Sequence, residues 1–275
     1  MELINPPFNY TGSKFKLLPQ ILPHLDYTKK TFVDVFCGGG SVYTNVVDKY
    51  NKIVINDIIS DLVGCHKLLG ENDPNFVGQV KFYSVGKDEQ LEYHKLRDDY
   101  NLSPSPAKLF ALMLCCTNNM LRFNKKFKFN QTFGKRTFNS KTQEKIDMFV
   151  SHIYPFKDKL EYHSTEFHKL TIGENTMVYL DPPYSGKVAN AAGYNCYYSN
   201  SHDERLFQFI MDIHNRENSF CLSNMYSDNR EMNAPVVNML LDTGKFNLVK
   251  LDFDYDKVSR NKEKVKMQEI LIKNY

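Results

Sequence analysis

The chain contains the stretch Thr31-Phe32-Val33-Asp34-Val35-Phe36-Cys37-Gly38-Gly39-Gly40-Ser41, in which an apolar run ends in three consecutive glycines. This pattern predicts a strand over residues 31–36, a sharp turn at the glycines and a helix over residues 41–49. A second apolar run predicts a strand over residues 52–56. Strand, helix and strand in this order are typical of a β-α-β unit with a parallel sheet. The sequence therefore predicts an α/β fold.

An acidic residue, Asp57, directly follows the second predicted strand. In Rossmann-like folds an acid at this place accepts hydrogen bonds from ribose hydroxyls, and glycines in the first turn let the backbone approach the ligand closely. The glycine turn and Asp57 together favour an adenosine-containing cofactor. They leave open whether that cofactor is a dinucleotide or S-adenosylmethionine.

Further apolar patterns predict helices and strands on both sides of a different middle region. One helix carries Leu62, His66 and Leu69 near one face, and another carries Ser201 as its N-cap. The middle region, residues 72–165, is predicted to be an insertion between two halves of the α/β core. The predicted helices cover residues 15–22, 60–69, 88–99, 107–119 and 201–215, and the predicted later strands cover residues 177–181, 219–223, 247–253 and 265–272.

Length and composition limit the class of protein. The 275 residues, 42% of them hydrophobic, suffice for one large domain or for a domain with an inserted lobe. The sequence contains no apolar run of about 18 residues, so no membrane span is predicted. The first residues lack a signal-peptide pattern. The six cysteines form no CxxC pair, so we expect reduced thiols and neither zinc nor disulfides.

A strand over residues 177–181 would deliver the tetrapeptide Asp181-Pro182-Pro183-Tyr184. The carboxylate of Asp181 and the carbonyl of Pro182 can accept hydrogen bonds from one amino group, and the prolines fix the direction of the backbone. The ring of Tyr184 offers a face on which a base can stack. The tetrapeptide favours methylation of an exocyclic amine on a nucleobase, although a Pro-Pro-Tyr sequence also occurs in ordinary turns.

The middle region carries an uncompensated basic stretch. Residues 100–143 contain no acidic residue and eight basic ones, with phenylalanines interleaved. Such a charge pattern is typical of a polyanion-binding surface. It is also compatible with a β-hairpin whose aromatic side chains face inward and whose lysines face solvent, and both interpretations can hold together. The basic residues are Lys108, Arg122, Lys125, Lys126, Lys128, Lys135, Arg136 and Lys141.

Three short motifs stand in one order: Tyr10-Thr11-Gly12-Ser13-Lys14, then Phe36-Cys37-Gly38-Gly39-Gly40, then Asp181-Pro182-Pro183-Tyr184. This order resembles the Dam-type (class alpha, D12) family of DNA adenine N6-methyltransferases, with most similarity to the T-even phage Dam enzymes. The resemblance extends through Asn118-Asn119-Met120-Leu121-Arg122 and Phe133-Gly134-Lys135-Arg136-Thr137. It implies a Rossmann-like S-adenosylmethionine-dependent methyltransferase sheet whose last strand is antiparallel. It also implies a catalytic core of residues 1–71 and 166–275 around an inserted, mostly helical DNA-recognition lobe, residues 72–165, that contains a β-hairpin.

The resemblance also assigns roles to residues. It implies transfer of a methyl group from S-adenosylmethionine, with S-adenosylhomocysteine as product and no metal, to a flipped adenine in a short site of double-stranded DNA, with GATC as the leading candidate. It implies no membrane and no obligate protein partner, and it places the protein in the cytoplasm of a bacterial or phage-infected cell. The catalytic residues implied are Asp181, Pro182 and Tyr184; the cofactor-binding residues are Tyr10, Lys14, Phe36, Gly38, Gly40, Asp57 and Asp181; the DNA-binding residues are Asn118, Arg122, Asn124, Lys125, Lys126, Phe133, Lys135 and Arg136.

One position departs from the family pattern. Thr117 stands where the phage enzymes have an aromatic residue that inserts into DNA, so Phe123 or another side chain would have to supply this wedge. Three alternatives remain open from the sequence: an N4-cytosine DNA or an RNA methyltransferase, a catalytically inactive DNA-binding regulator, and a nicotinamide dehydrogenase that shares the glycine turn and Asp57.

Overall fold

A computed structural model describes residues 2–185, 200–252 and 268–275. Short 3-10 turns extend several of its helices, for example at Phe15–Leu17 and Leu22–His24. The α-helices are α1 (Leu18–Ile21), α2 (Ser41–Thr44), α3 (Ser60–Gly70), α4 (Phe76–Tyr83), α5 (Gln90–Leu102), α6 (Pro106–Cys115), α7 (Ser140–Ile153), α8 (Asn200–Asn215) and α9 (Pro235–Asp242). The strands are β1 (Thr31–Asp34), β2 (Lys52–Asn56), β3 (Leu160–His163), β4 (Thr176–Leu180), β5 (Ser219–Tyr226), β6 (Asn247–Lys250) and β7 (Gln268–Lys273).

The strands belong to a seven-stranded sheet in the order β3-β2-β1-β4-β5-β7-β6. The pairs β2–β3, β1–β4 and β4–β5 are parallel, whereas β7 is antiparallel to both β5 and β6. Every residue of β4 is buried, as expected for a central strand covered on both faces. The topology confirms the predicted α/β, Rossmann-like sheet and its antiparallel last strand.

Several predicted elements end earlier or later than expected. Helix α2 stops at Thr44 instead of residue 49. The chain continues in tight turns, with Val46 N donating to Tyr43 O at 3.2 Å, and the side chain of Asn45 donates to Ser41 O at 2.8 Å. Helix α6 stops at Cys115, before two asparagines with left-handed φ angles of 57° and 53°. Helix α8 begins at Asn200, so Ser201 lies inside the helix and is not its N-cap. Of the last two predicted strands, residues 253 and 265–267 lie outside the described residues.

Helices α4, α7 and α9 and strand β3 were not predicted from the sequence. Helix α7 begins after Asn139, whose side chain accepts a hydrogen bond from Thr142 N at 3.0 Å, and it buries Ile146, Phe149 and Ile153 on one face. Strand β3 is only half-buried and carries polar residues, so its sequence lacks the apolar run of a core strand.

The described chain divides into two compact units, residues 1–15 with 37–165 and residues 16–36 with 166–275. In the first unit, all residues of α6 other than its first are buried, and α3, α4 and α5 pack around this helix. The second unit contains β1, β4–β7, α1, α8 and α9. The functional division into a core of residues 1–71 and 166–275 and a recognition insert of residues 72–165 stays a prediction. No helix within the described residues is long and apolar enough to cross a bilayer.

Candidate active site

In the first unit, the glycine loop (residues 37–40) has a conformation that requires glycine. Gly38 and Gly40 have φ angles of 48° and 81°, which L-residues rarely adopt. The loop is tied at Cys37, whose N–H donates to Asn56 O at 2.9 Å and whose carbonyl accepts from Gly40 N at 2.7 Å. The backbone of this loop is therefore fixed directly beside the end of β2.

Asp57 holds the glycine loop through its carboxylate. One oxygen accepts a hydrogen bond from Gly38 N at 3.0 Å, and the other accepts one from Ile59 N at 3.0 Å. Burial raises the pKa of Asp57 above its usual value, although these backbone donors oppose the shift. A carboxylate has about four lone-pair positions, so Asp57 can also accept hydrogen bonds from ribose hydroxyls.

The N-terminal segment covers the glycine loop. A Cβ atom on Gly38 would lie 2.8 Å from Cε1 of Tyr10, and one on Gly39 would lie 2.7 Å from Cβ of Tyr10. The hydroxyls of Ser13 and Ser41 are 2.8 Å apart, which links this segment to the start of α2. Lys14 is buried, and its ammonium group donates to Gly12 O at 3.4 Å. The first unit thus contains the predicted cofactor residues other than Phe36 and Asp181.

His66 lies on the buried face of α3 and forms a hydrogen bond to the glycine loop. Its Nε2 lies 2.8 Å from Gly38 O, so this nitrogen donates, and its Nδ1 therefore accepts from the hydroxyl of Tyr43 at 2.7 Å. The ring of Phe8 packs against His66 with a centroid distance of 4.6 Å. The sequence placed His66 on a buried helix face, but nothing in the sequence indicated its contact with the loop.

The buried histidine makes stability depend on pH. Burial lowers the pKa of His66 from 6.5 to about 4, so between these values the unfolded chain binds a proton that the folded chain does not. Stability is therefore lost as the pH falls from 6.5 to 4, by about 3 kcal/mol at 1.36 kcal/mol per pKa unit. Urea unfolding at pH 7, 5.5 and 4.5 measures the free energy of unfolding of wild type and of His66→Gln. The difference between the two free energies should become smaller as the pH falls. A difference in unfolding free energy that stays constant with pH would contradict the claim that the His66 imidazole is buried in its neutral form.

In the second unit, the tetrapeptide Asp181-Pro182-Pro183-Tyr184 follows directly after β4. Pro182 is buried, and Asp181 and Tyr184 are half-buried. The hydroxyl of Tyr184 donates to the carboxylate of Glu269, at 3.0 and 3.1 Å from its two oxygens. Glu269 lies on β7 and is only 4% exposed. In the sequence Glu269 is a lone acid at the edge of an apolar strand, and it was not predicted to be a site residue. Phe36, also in this unit, packs on Phe167 at a centroid distance of 5.4 Å.

The basic stretch of the first unit forms a short, irregular β-hairpin (residues 116–134). Antiparallel bridges join Cys116 to Phe133 and Phe123 to Phe129. Phe123 and Phe129 are buried and their rings contact each other edge to face, which confirms the inward aromatic face for this pair. Arg122 braces the hairpin, because its Nε donates to the side chain of Asn130 at 3.0 Å.

The predicted DNA-contacting residues occupy this hairpin and its flanks. Lys125, Lys126, Lys135 and Arg136 are exposed, as are Asn118 and Arg122, whereas Asn124 and Phe133 are half-buried. Lys108 does not belong to this exposed set: it is buried in α6, and its ammonium group lies 2.9 Å from the carboxylate of Asp99. The interpretation of all eight cations as uncompensated is therefore wrong for Lys108, because a residue just before the acid-free stretch neutralises it.

Arg136 is held by a buried asparagine. Its Nη1 donates to the side-chain oxygen of Asn119, and the amide nitrogen of Asn119 donates to Met113 O at 2.7 Å. The second bond fixes which way the amide points, so the oxygen of Asn119 faces the guanidinium group. Gly134 allows the chain to approach here, because a Cβ atom would lie 2.3 Å from the carbonyl oxygen of Cys116. Asn119, like His66 and Glu269, makes a supporting contact that was not predicted from the sequence.

In the three described ranges, no group of three or more His, Cys, Asp or Glu side chains is placed to hold a metal ion. The expectation of a metal-free site stays a prediction.

Comparison with known proteins identifies the family. A family model of the D12 class N6 adenine-specific DNA methyltransferases matches residues 10–256, so the chain belongs to this family. The chain is 28% identical over 288 residues to the modification methylase StsI of Streptococcus sanguinis and 29% identical over 289 residues to the type II methyltransferase M.FokI of Planomicrobium okeanokoites. It is 26% identical over 251 residues to the type II methyltransferase M.MjaIII of Methanocaldococcus jannaschii.

The matches cover different shares of these relatives. The match to StsI includes 100% of this chain and the match to M.FokI includes 99% of it, but the chain spans only 43% of the length of each of these two relatives. The match to M.MjaIII includes 82% of this chain and 85% of the relative. The particular similarity to T-even phage enzymes stays a prediction.

Proposed function

We propose that the protein is a site-specific DNA adenine N6-methyltransferase that uses S-adenosylmethionine. The observation that carries the proposal is the tetrapeptide Asp181-Pro182-Pro183-Tyr184 at the end of a buried strand, in a chain of the D12 family. A carboxylate, a proline carbonyl and an aromatic ring suit a flat base with an amino group. A dehydrogenase would have no use for this set of groups.

The residues of the first unit fit the proposed cofactor. The left-handed glycines fix a backbone turn next to the Asp57 carboxylate, which suits the two hydroxyls of a ribose. Lys14 is a buried cation, which suits the carboxylate of a methionine moiety. When bound, S-adenosylmethionine would supply a methyl group on a positively charged sulfur that leaves as a neutral thioether.

Asp181 and Pro182 would act on the target amine. The lone pair of an adenine amino group is delocalised into the ring, so the nitrogen is a weak nucleophile. Hydrogen bonds from both N–H groups to the Asp181 carboxylate and the Pro182 carbonyl favour the tetrahedral nitrogen. Positive charge develops on this nitrogen during transfer, so fixed acceptors stabilise the transition state more than the ground state.

Tyr184 and Glu269 would hold the base in position. The bond from the Tyr184 hydroxyl to the Glu269 carboxylate fixes the hydroxyl edge of the ring, and the ring would stack on the target base. An adenine inside a duplex cannot reach such groups, so the base must be flipped out of the helix. The exposed cations of the hairpin would hold the phosphate backbone while this happens.

The proposal is tested by mapping modified bases. The protein is expressed in a host that lacks adenine methylation, and the DNA is sequenced for N6-methyladenine and N4-methylcytosine. We expect N6-methyladenine at one short motif, with GATC as the leading candidate, and the same motif after reaction of plasmid DNA with purified protein. Methylation of cytosine alone or of RNA alone would favour the neighbouring classes of methyltransferase. Absence of any modification would favour a DNA-binding regulator.

Arg136 is proposed to read one guanine, since a bidentate arginine is the commonest specific contact in the major groove. The buried Asn119 fixes one nitrogen of the guanidinium group, which preorganises the rest of the fork. Arg136→Ala should cost about 1–3 kcal/mol of discrimination at one base position. Methylation rates on all single-base variants of the mapped site measure this.

Lys135→Ala is the matched control for Arg136→Ala, because Lys135 is the exposed neighbour and is proposed to contact a phosphate. Loss of the Lys135 ammonium group should weaken binding to all DNA sites alike. The slope of log affinity against log salt concentration should fall by about one, as expected for one lost phosphate contact. Equal losses on every base variant in Arg136→Ala would remove the base-reading role.

A further inference from the structure

Asn45 joins two parts of the first unit that are 41 positions apart in the sequence. Its side-chain oxygen accepts a hydrogen bond from Ile4 N at 2.8 Å, and its side-chain nitrogen donates to Ile4 O at 2.9 Å. The same nitrogen donates to Ser41 O at 2.8 Å. Asn45 is 7% exposed, and both the oxygen and the nitrogen of its amide are therefore bonded inside the protein.

The bond to Ser41 has an ordinary structural explanation. Ser41 begins α2 and Asn45 follows its last residue, and the backbone N–H of Asn45 donates to Val42 O at 3.0 Å and not to Ser41 O. The side chain of Asn45 thus satisfies a carbonyl at the end of a short helix. The two bonds to Ile4 contribute nothing to this cap, so they require a different explanation.

The N-terminal segment (residues 4–14) is attached to α2 at a second place. The hydroxyl of Ser13 lies 2.8 Å from that of Ser41, the first residue of the helix. Asn45 holds one end of the segment and Ser41 holds the other, and these two anchors are about one helical turn apart. The segment is therefore a loop closed on α2. Hydrogen bonds at its two ends offset the entropy that closing such a loop costs.

The middle of the N-terminal segment is held by apolar packing. Phe8 is buried, and its ring lies 4.6 Å from that of His66 and 4.9 Å from that of Phe110, measured between centroids. Apolar packing is not directional, so it keeps the segment close without fixing the direction of the neighbouring backbone. Hydrogen bonds are directional, so the paired N–H and C=O bonds at Ile4 set the course of the chain.

The N-terminal segment carries Tyr10 and Lys14, two of the proposed cofactor-binding residues. Tyr10 lies so close to the glycine loop that a Cβ atom on Gly38 or on Gly39 would be 2.8 or 2.7 Å from it. Lys14 is buried, and its ammonium group donates to Gly12 O at 3.4 Å. A shift of the segment would therefore move both side chains relative to the glycine loop.

We propose that Asn45 is a positioning residue for the cofactor, because it holds the N-terminal segment in the conformation that binds S-adenosylmethionine. Asn45 acts through Tyr10 and Lys14 and not on the reacting atoms. Where the segment opens, only the closed fraction of the molecules binds, and the apparent affinity falls by that fraction. The inference deepens the proposed function and rests on it, since it takes S-adenosylmethionine as the ligand of this site.

The experiment compares Asn45→Ala with wild type by calorimetric binding of S-adenosylhomocysteine and by steady-state methylation. Loss of the two bonds to Ile4 should weaken binding about 5- to 150-fold, the range for two net hydrogen bonds. The KM for S-adenosylmethionine should rise by a similar factor. The kcat at saturating cofactor and the KM for DNA should stay close to those of wild type.

Asn45→Asp separates the hydrogen bonds from the packing of the side chain. Aspartate fills the same space and keeps one acceptor for Ile4 N, but it places a second oxygen against Ile4 O and Ser41 O. Asn45→Asp should therefore bind S-adenosylhomocysteine at least as weakly as Asn45→Ala. Affinity equal to that of wild type in Asn45→Asp would show that the donor is not required, which contradicts the proposal.

Asn101→Ala is the matched control in the same unit. The side chain of Asn101 makes the same pair of bonds to another segment, since it accepts from Phe129 N at 2.8 Å and donates to Phe129 O at 3.0 Å. Its loss should leave the affinity for S-adenosylhomocysteine unchanged. Hydrogen exchange measured by mass spectrometry should become faster at residues 4–14 in Asn45→Ala and at residues 116–134 in Asn101→Ala.

The outcomes distinguish this role from a structural one and from the proposed function. Equal losses of cofactor affinity in Asn45→Ala and Asn101→Ala would overturn the positioning role, because the loss would then follow the general stability of the unit. If wild type and Asn45→Ala bind S-adenosylhomocysteine equally well, the positioning role fails alone. If wild type itself neither binds S-adenosylhomocysteine nor transfers a methyl group, the proposed function fails, and the positioning role fails with it.

Discussion

Asp181→Ala is expected to slow methyl transfer to adenine sharply while the protein remains folded. Asp181 follows the last residue of β4 and is half-buried, so removal of its carboxylate leaves the buried strand intact. In the proposed mechanism the loss falls on the transition state, in which the target nitrogen becomes positive and the carboxylate accepts a hydrogen bond from its N–H group. Removal of one preorganised group of this kind costs about 10²- to 10³-fold in kcat. The second acceptor, the Pro182 carbonyl, cannot supply the missing charge.

Single-turnover methylation with radioactive methyl donor measures this loss, and circular dichroism and DNA binding check that the protein is intact. Asp181→Asn keeps an acceptor oxygen without its charge and should retain more activity than Asp181→Ala. Asp212→Ala removes an exposed carboxylate from α8 in the same unit and should behave as wild type. Near-native turnover in Asp181→Ala would show that the carboxylate does not act on the amine.

Local sequence patterns predicted the central strands and the glycine loop because single-residue constraints decide these features. A strand such as β4 is buried on both faces and reads as an apolar run, and Gly38 and Gly40 occupy backbone regions that other residues avoid. The position of Asp57 directly after β2 was also predicted, because the apolar run of that strand marks where the strand ends. Strand β3 was not predicted, because it is half-buried and its polar sequence does not form an apolar run.

Contacts between residues distant in sequence were not predictable. His66 supports Gly38 across 28 positions, and Tyr184 contacts Glu269 across 85 positions. Neither pair leaves a pattern in its own segment, because hydrogen-bonding partners are set by tertiary packing.

Gly40→Ala is expected to destabilise the first unit far more than Gly12→Ala. The two glycines have nearly the same φ angle, 81° and 82°, so the backbone strain of an alanine is the same at both, about 1–2 kcal/mol. A Cβ atom at Gly40 would lie 2.6 Å from the ring of Tyr43 and 2.7 Å from that of His66, whereas a Cβ atom at Gly12 would meet nothing within 4 Å. The added clash in a packed interior costs about 1–3 kcal/mol more.

The difference in unfolding free energy between Gly40→Ala and Gly12→Ala measures the packing of the glycine loop against Tyr43 and His66. Urea unfolding should place Gly12→Ala about 1–2 kcal/mol below wild type, from backbone strain alone, and Gly40→Ala roughly 2–5 kcal/mol below wild type, the range that strain and overpacking together allow. Displacement of His66 would also disturb its bond to Gly38 O, so binding of S-adenosylmethionine, measured by calorimetry, should weaken with stability in Gly40→Ala. Equal destabilisation by the two substitutions would mean that backbone strain alone requires glycine at position 40. The packing of Tyr43 and His66 against the loop would then have no part in shaping the proposed cofactor site.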